Sequence, residues 1–379
     1  MLRYLTAGES HGKALIALID GFPAGLQVDQ AAINRELKRR QGGYGRGARQ
    51  KLESDQIEIL SGTWQGVTLG SPICFQVANH DYKIERLKEL PRPRPGHGDL
   101  SGSIKYLSSI RGVLERASAR ETAARVAAGA LANQLLREFK IESLAFVAEL
   151  GSLKIPCLAD TPEKLRMNRD QSIVYSTNPD FDQQAKQLID EATQDGDTLG
   201  GIVEVRVTGV PFGLGSHTQW DRKLDGRLAQ AVMSIQAIKG VEIGLGFEAA
   251  RRRGSQVHDS IQYDEQLKQS HQLGFERPSN NAGGLEAGMT NGQPIILRAA
   301  MKPISTLRKP LESISMDTKQ PNTASYERSD VCAVSAASVI VENVVAFEVA
   351  ASLIEKFGGD SIKEMQERVE LFQKLAREM

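Results

Sequence analysis

Cysteine is scarce in this chain. Cys74, Cys157 and Cys332 are the only three, far apart and with no C-x-x-C pair. That spacing speaks against a disulfide framework and a thiolate zinc site, and it suits a reducing compartment. Net charge is missing as well: Lys plus Arg and Asp plus Glu both total 47. No overall field therefore draws the protein to nucleic acid or to a membrane. Aromatic residues make up 5% of the chain, which leaves few platforms for stacking bases. Long apolar runs are absent too. The longest uncharged one, 331–341, falls well short of the roughly 18 residues that suggest a spanning helix. Near the N-terminus only 14–19 is apolar, too little for a signal peptide. These absences lead to the expectation of a soluble cytoplasmic protein with no nucleic-acid or membrane partner. What remains is ordinary globular composition, 40% hydrophobic and 25% charged over 379 residues, ample for a sizeable core. Any anion site must be a local concentration of Arg and Lys.

The organising stretch is 115–139, ERASARETAARVAAGALANQLLREF. Ser118 and Glu121 have the spacing of a capping box, which predicts a helix start at Ser118. From there the residues are Ala, Val, Leu and one Gly on nearly every face, the pattern of a buried helix that neighbours approach closely. Arg116, Ser118 and Arg120 crowd its positive end, which favours an anion. A second Ala/Val/Ser-rich helix is expected from Asp330 to about Phe357, and a charged amphipathic helix over 360–378. Strands are expected near 2–7, 13–19, 56–60, 67–78, 143–150, 200–210 and 294–300. Asp29 is placed to cap a helix through Arg40 with Ile33 and Leu37 inward; further helices are expected at 179–195 and 221–235. The loops are 41–51, a basic glycine-rich segment, the Pro-locked 91–99, and 281–292. With no low-complexity linker and no repeat, residues 1–379 read as one domain of sheets and long buried helices.

Several local patterns bear on chemistry. Gly8-Glu9-Ser10-His11-Gly12 matches the G-x-S-x-G elbow of α/β-hydrolases, but Ser10 has too little chain before it to build the sheet and oxyanion hole. Gly43-x-Gly45-x-x-Ala48 and Gly244-x-Gly246-x-x-Ala249 match a loose dinucleotide pattern without the strand–turn–helix context it needs. Lys38, Arg39, Arg40, Arg46, Arg49 and Lys51 cluster with no acid among them, and glycines let that loop wrap a small anion. His11 sits between glycines and His97 in a Pro-Gly-His-Gly corner. A histidine beside bound anions is suited to donate a proton. His97 with Asp99 could begin a metal site, but no third ligand suggests itself, and no metal is expected.

GESHG, RRQGGYGRGARQ, RPGHGD, ERASARET, QWDRKLDGRLAQAVMSIQAIKGVEIGLGFE, NNAGGLEAGMTNGQPI, MKPIST and ERSDVCAVSAASVIVE together resemble chorismate synthase, in the family's order and over nearly the whole chain. The resemblance implies an α+β fold, a β-α-β sandwich with long buried helices between antiparallel sheets, assembled as a homotetramer. It implies a lyase of the shikimate pathway to aromatic amino acids. That enzyme removes phosphate and a hydrogen from 5-enolpyruvylshikimate 3-phosphate by anti-1,4-elimination, giving chorismate. It needs reduced FMN, with NADPH entering only indirectly as reductant. No fused reductase domain is visible, so a separate flavin reductase is expected.

Residue by residue, the resemblance implies catalytic roles for His11 on the departing phosphate, His97 on the reduced flavin, and Asp330 near flavin N5. Arg40 and Arg46 match positions described for a nicotinamide dinucleotide. Physically they suit the substrate's phosphate and carboxylates better, together with Ser10, Arg49 and Arg120. FMN contacts are implied at Arg116, Ala117, Ser118, Gln236, Ala237, Ala287, Lys302, Pro303, Ile304, Ser305, Thr306 and Arg328. Ala117 and Ala287 stand where serine and glycine are common, and Gly98 follows His97 where alanine is usual. Two other classes fit the loops alone: a phosphate-eliminating enzyme without flavin, and a non-catalytic anion- or RNA-binding protein.

Overall fold

Among the described residues, two antiparallel sheets hold the longer strands, with four short two-stranded ribbons outside them, and each of the two has one long helix packed on it. The computed structural model describes residues 1–47, 54–327 and 329–379. In chain order, β1 (Arg3–Ala7) and β2 (Ala14–Asp20) form a hairpin, followed by α1 (Gln30–Gln41), β3 (Ile57–Ser61) and β4 (Ile73–Ala78). Next come α2 (Asp99–Tyr106), α3 (Ile110–Ala117), α4 (Thr122–Glu138), β5 (Glu142–Leu150) and β6 (Leu153–Lys154). Then follow α5 (Pro162–Gln171), α6 (Asp182–Asp195), β7 (Gly201–Thr208), α7 (Leu224–Met233), β8 (Ile238–Ile243) and β9 (Ile295–Met301). Helices α8 (Val334–Phe357) and α9 (Ile362–Ala376) complete the order. The first sheet runs β1-β2-β4-β3 and the second β8-β9-β7-β5-β6. All of these pairings are antiparallel.

Helix α4 packs on β2 and β4 of the first sheet, α8 packs on β5 and β7 of the second, and the two helices pack on each other. Their composition explains this. From Thr122 to Leu136 only Arg125 escapes full burial, so α4 has neighbours on all sides. At the crossing a Cβ on Gly129 would stand 2.1 Å from the Asn343 carbonyl oxygen, so the two backbones meet with no side chain between them. Polar groups at the crossing are satisfied: Asn133 donates to Asn343 Oδ1, and Ser143 donates to Asn133. Helix α8 is long and apolar enough to cross a membrane, although its uncharged run suggested otherwise. Its apolar window is 94% buried within the protein, which accounts for that composition.

The expected strands are present except 67–78, which divides into Val67–Thr68 and Ile73–Ala78 in two different sheets. The capped helix at Asp29 is present too, with Asp29 accepting from Ala32 N. The organising stretch differs from expectation. A helix does begin at Ser118, through a 3-10 turn, but residues 115–117 belong to a separate preceding helix. Helix α3 ends at Ser118, which is extended at φ −63°, ψ 142°; a single 3-10 turn, Ala119–Glu121, then leads into α4. Ser118 Oγ accepts from Arg120 N at 3.3 Å, but the returning half of a capping box is missing. Glu121 instead accepts from Thr6 Oγ1 at 2.7 Å, from Arg125 and from Gln236. The Arg120–Asp55 ion pair and the hydrogen bonds of Glu121 to Thr6 and Gln236 thus hold the side chains of this first turn. Helices α2 and α5 were not anticipated. The second has a Thr161 cap and Pro162 in its first turn, signals hidden in a polar stretch.

Candidate active site

The GESHG loop joins β1 to β2, so Ser10 leads into an antiparallel strand and not into a helix. That arrangement rules out a hydrolase elbow. The two dinucleotide-like patterns also lack their context: the first follows α1, and the second opens a short 3-10 turn, Gly246–Arg251. A Cβ on Gly8, at φ +102°, would stand 2.2 Å from the Ala14 carbonyl oxygen, so only glycine makes this tight return. The side-chain amide of Asn79 donates to the carbonyls of Glu9 and Gly12 at 3.1 and 2.8 Å. The last turn of α3 grips the loop from the other side. The Glu115 carbonyl accepts from Ser10 N at 2.8 Å, and the Glu115 carboxylate accepts from His11 N at 2.8 Å. His11 Nδ1 lies 3.0 Å from Glu115 Oε1, and His11 Nε2 lies 3.7 Å from Asp81 Oδ2. Burial alone would raise the Glu115 carboxyl. The hydrogen bonds from His11, with the charges of His11 and Arg111, bring it below the usual range instead.

Behind this loop lies a buried ionic chain. Arg120 donates to Asn79 Oδ1 at 2.9 Å and to both Asp55 oxygens at 2.7 Å. Arg40 stands 3.5 Å from the same carboxylate, and donates to Thr122 Oγ1 at 2.9 Å and to the Ala119 carbonyl at 3.0 Å. Arg40, Arg120 and Asp55 are 4%, 7% and 4% exposed, so both guanidiniums meet this carboxylate out of water. Burial pulls Arg40 down to about 10; Asp55 opposes this, while Arg120 and Arg46 add to it. An anion that enters beside buried guanidiniums is stabilised by their charge. Arg46 pairs with Asp330 at 2.5 Å, and Asp330 also accepts from Gly47 N at 2.6 Å. Arg46 Nε and Arg40 Nη1 are buried without a hydrogen-bond partner. Arg39 was expected to join this anion cluster, but it is committed inward to Glu36 and Glu342. Arg49 and Lys51 lie outside the described residues.

His97 forms a third cluster. Its Nδ1 is 2.5 Å from Asp99 Oδ1. Arg94 donates to Asp99 through Nε and Nη2 at 2.8 and 2.9 Å and to Thr306 Oγ1 at 3.1 Å. Asp99 is fully buried. Burial would raise its carboxyl, but the hydrogen bonds and charges of Arg94 and His97 outweigh that and hold it far below the usual range. With its lone pairs so engaged, Asp99 is a partner of His97 and Arg94 and not the start of a metal site. Among the described residues no group of three or more His, Cys, Asp and Glu could hold a metal.

These clusters meet the expected flavin positions. Lys302 Nζ donates to the Gly96 carbonyl, and Lys302 N donates to the Ala237 carbonyl at 2.9 Å. A Cβ on Gly96 would stand 3.6 Å from Ser305, and one on Gly98 3.9 Å from Ala117. Ile304 and Thr306 offer their carbonyls to Thr198 and Ser329. Pro303 sits with Lys302 against Gly200, where an added Cβ would stand 2.9 Å from Pro303 N. Gln236 donates to Glu121, leaving its Oε1 buried without a partner. Arg116 donates to the carbonyls of Gly8 and Thr6 at 3.1 and 2.8 Å. The chain thus brings together 96–98, 116–121, 236–237 and 302–306. Ala287 does not join them. It lies in a tight turn with Gly288, at φ +50°, whose bonds run to Leu224 at the opposite end of α7. A ten-residue helix separates those ends by roughly 15 Å. Arg328 lies outside the described residues.

Glu115, Asp55, Asn79, Arg94 and Asp99 build the site, yet none was picked out as a positioning group. Glu115 had a signal: it precedes Arg116 within ERASARET. Asp99 was noticed only as a possible metal ligand, and Asp55 and Asn79 carry no local signal.

Comparison with known proteins gives the family. A family model described as chorismate synthase matches residues 2–354. A chorismate synthase of Geotalea daltonii is 54% identical over 97% of each chain, and one of Desulforamulus reducens is 53% identical over 100% of each. A crystal structure of chorismate synthase superposes with TM-score 0.82 at 45% identity, covering 100% of this chain and 99% of that one. The matches span the GESHG loop, the buried arginines and the His97 cluster alike, and the chain belongs to the chorismate synthase family.

Proposed function

We propose that this chain converts 5-enolpyruvylshikimate 3-phosphate to chorismate by anti-1,4-elimination of phosphate, dependent on reduced FMN. The observation that carries the reading is the pair of buried arginines beside a histidine held at a defined nitrogen. A substrate with one phosphate and two carboxylates is strongly repelled by itself and by a flavin phosphate unless cations stand at contact distance. Arg40, Arg46, Arg49 and Arg120 would hold those anions, with Ser10 beside them. His11 would donate its Nε2 proton to the leaving phosphate, because Nδ1 is engaged by Glu115.

The residues around Gln236 fit a flavin. A buried acceptor without a partner suits a ring N–H, and Arg116–Ser118, Ala237 and Lys302–Thr306 would supply the remaining contacts. Reduced FMN, when bound, supplies electron density transiently to the breaking C–O bond and recovers it, so the reaction has no net redox change. His97 would hold a proton toward that group, steadied by Asp99 and Arg94. Asp330 would act at the same place once a ligand draws Arg46 from it. NADPH would serve only as the distant source of electrons, through a separate flavin reductase. The packing of α4 and α8 between two sheets supports the sandwich reading. Assembly as a cytoplasmic homotetramer, with Ala287 meeting the flavin only there, is part of the same proposal.

The test is ligand binding followed by flavin dependence. FMN should raise the melting temperature, and phosphate release from the substrate should require the reduced form. Release at full rate without flavin would point to a flavin-free eliminating enzyme. Salt-sensitive binding of random RNA with no release would point to a binding protein.

A further inference from the structure

The last turn of α3 does more than end a helix. Two consecutive residues there hold four residues of the β1–β2 segment, Thr6, Gly8, Ser10 and His11. Arg116 donates to the carbonyls of Thr6 and Gly8. Glu115 accepts from Ser10 N with its carbonyl, and from His11 N and the His11 ring with its carboxylate. Glu115 is only 3% exposed, so its carboxylate is kept ionised within the protein by the groups it binds. A carboxylate bonded to both the main chain and Nδ1 of one histidine fixes the ring's rotation and its tautomer together.

From this geometry we infer that Glu115 is the positioning residue of His11: it holds the Nδ1 proton so that Nε2 alone exchanges a proton with substrate. The inference rests on the proposed role of His11. In the transfer, the His11 Nε2–H bond breaks and an O–H bond forms on the departing phosphate. Nδ1–H stays with Glu115 throughout, which stabilises the charged ring beforehand and orients the neutral ring afterwards. Among the described residues the other groups facing His11 are Asp81 near Nε2, Lys83 and Ile84 through their backbone N–H groups to the His11 carbonyl, and Arg111, 3.7 Å from Glu115 Oε1. None of these touches Nδ1.

Glu115→Gln keeps the shape but puts an NH2 where one carboxylate oxygen accepts. The amide then either opposes the His11 backbone N–H or faces Nδ1 with a donor. The loss of tautomer control in catalytic triads shows how large such an effect can be. In Glu115→Gln, turnover should fall about 10²-fold with KM changed less than about threefold, and Glu115→Asp should recover part of it. In protein carrying ¹⁵N-labelled histidine, with the His11 signals assigned by their loss in His11→Gln, wild type should show the proton on Nδ1. In Glu115→Gln it should shift toward Nε2. Turnover within threefold of wild type would overturn the inference. So would a fall in turnover with the tautomer unchanged and the melting temperature lowered, because that is a scaffold effect. A wild-type ring protonated at Nδ1 and redistributed in Glu115→Gln, in a protein that makes no chorismate, would uphold the positioning and refute the proposed reaction.

Discussion

Replacing Gly129 with alanine tests how the helix layer sets the site. The new methyl carbon would stand 2.1 Å from the Asn343 carbonyl oxygen and 2.5 Å from its carbon, where ordinary contact begins near 3.4 Å. Both obstacles are backbone atoms, so no rotamer relieves them, and α4 and α8 must separate by roughly an ångström. In a lone helix the change would help by about 1 kcal/mol, because alanine is the better helix former. Overpacking a close crossing costs about 1–3 kcal/mol, and more where backbones shift. The crossing wins, and the net loss should be about 2 kcal/mol. For a chain of this length that lowers Tm by about 2–3 °C. The displacement should also reach the site, because Thr122 at the head of α4 receives Arg40 Nε, and α8 starts just after Asp330. Weaker substrate binding should accompany the loss of stability. Thermal melts and calorimetric titration of both proteins are the assay. An unchanged or raised Tm in Gly129→Ala would refute the backbone-contact reasoning.

Three further outcomes follow from the site. His11→Ala should lower turnover by about 10²–10⁴-fold, the usual range for a positioned acid, with FMN affinity nearly unchanged in a fluorescence titration. Ser118→Ala should cost only about 0.5 kcal/mol, the low end for a cap, because Oγ makes a single 3.3 Å bond to Arg120 N. Melting curves should show a larger loss with FMN than without it; equal losses would leave Ser118 as a turn residue only. Asp99 and Glu115 both titrate below their ordinary values, so the unfolded chain binds protons more readily than the folded one. Their contribution is present above the ordinary carboxylate range and is lost as pH falls through the folded values. Stability measured by denaturant should therefore drop steeply below about pH 4, and Asp99→Asn should flatten that drop.

The parts legible from sequence were those encoded locally. Asp29 caps α1 through its own next turn, and the period of buried residues in α4 and α8 needs no partner to be seen. The pairing of polar groups was not legible, because it is decided across distance. Asp55 serves Arg120 from 65 positions away, and Glu115 serves His11 from 104. Side-chain pairs also explain why the capping box is only half formed. Ser118 and Glu121 satisfy the capping-box spacing, but Glu121 gains more from Thr6, Arg125 and Gln236 than from a return to the Ser118 backbone. His97 and Asp99 were visible as neighbours. Arg94, which occupies Asp99 and so removes the metal alternative, becomes evident only when the Pro-locked loop folds back.

The most direct measurement is an anaerobic assay of the wild-type chain with dithionite-reduced FMN and 5-enolpyruvylshikimate 3-phosphate, following chorismate absorbance and phosphate together. The account predicts that both appear in equal amounts, only with reduced FMN, and that the flavin ends the reaction still reduced. No chorismate from folded, FMN-binding protein, or flavin oxidised in step with product, would contradict it.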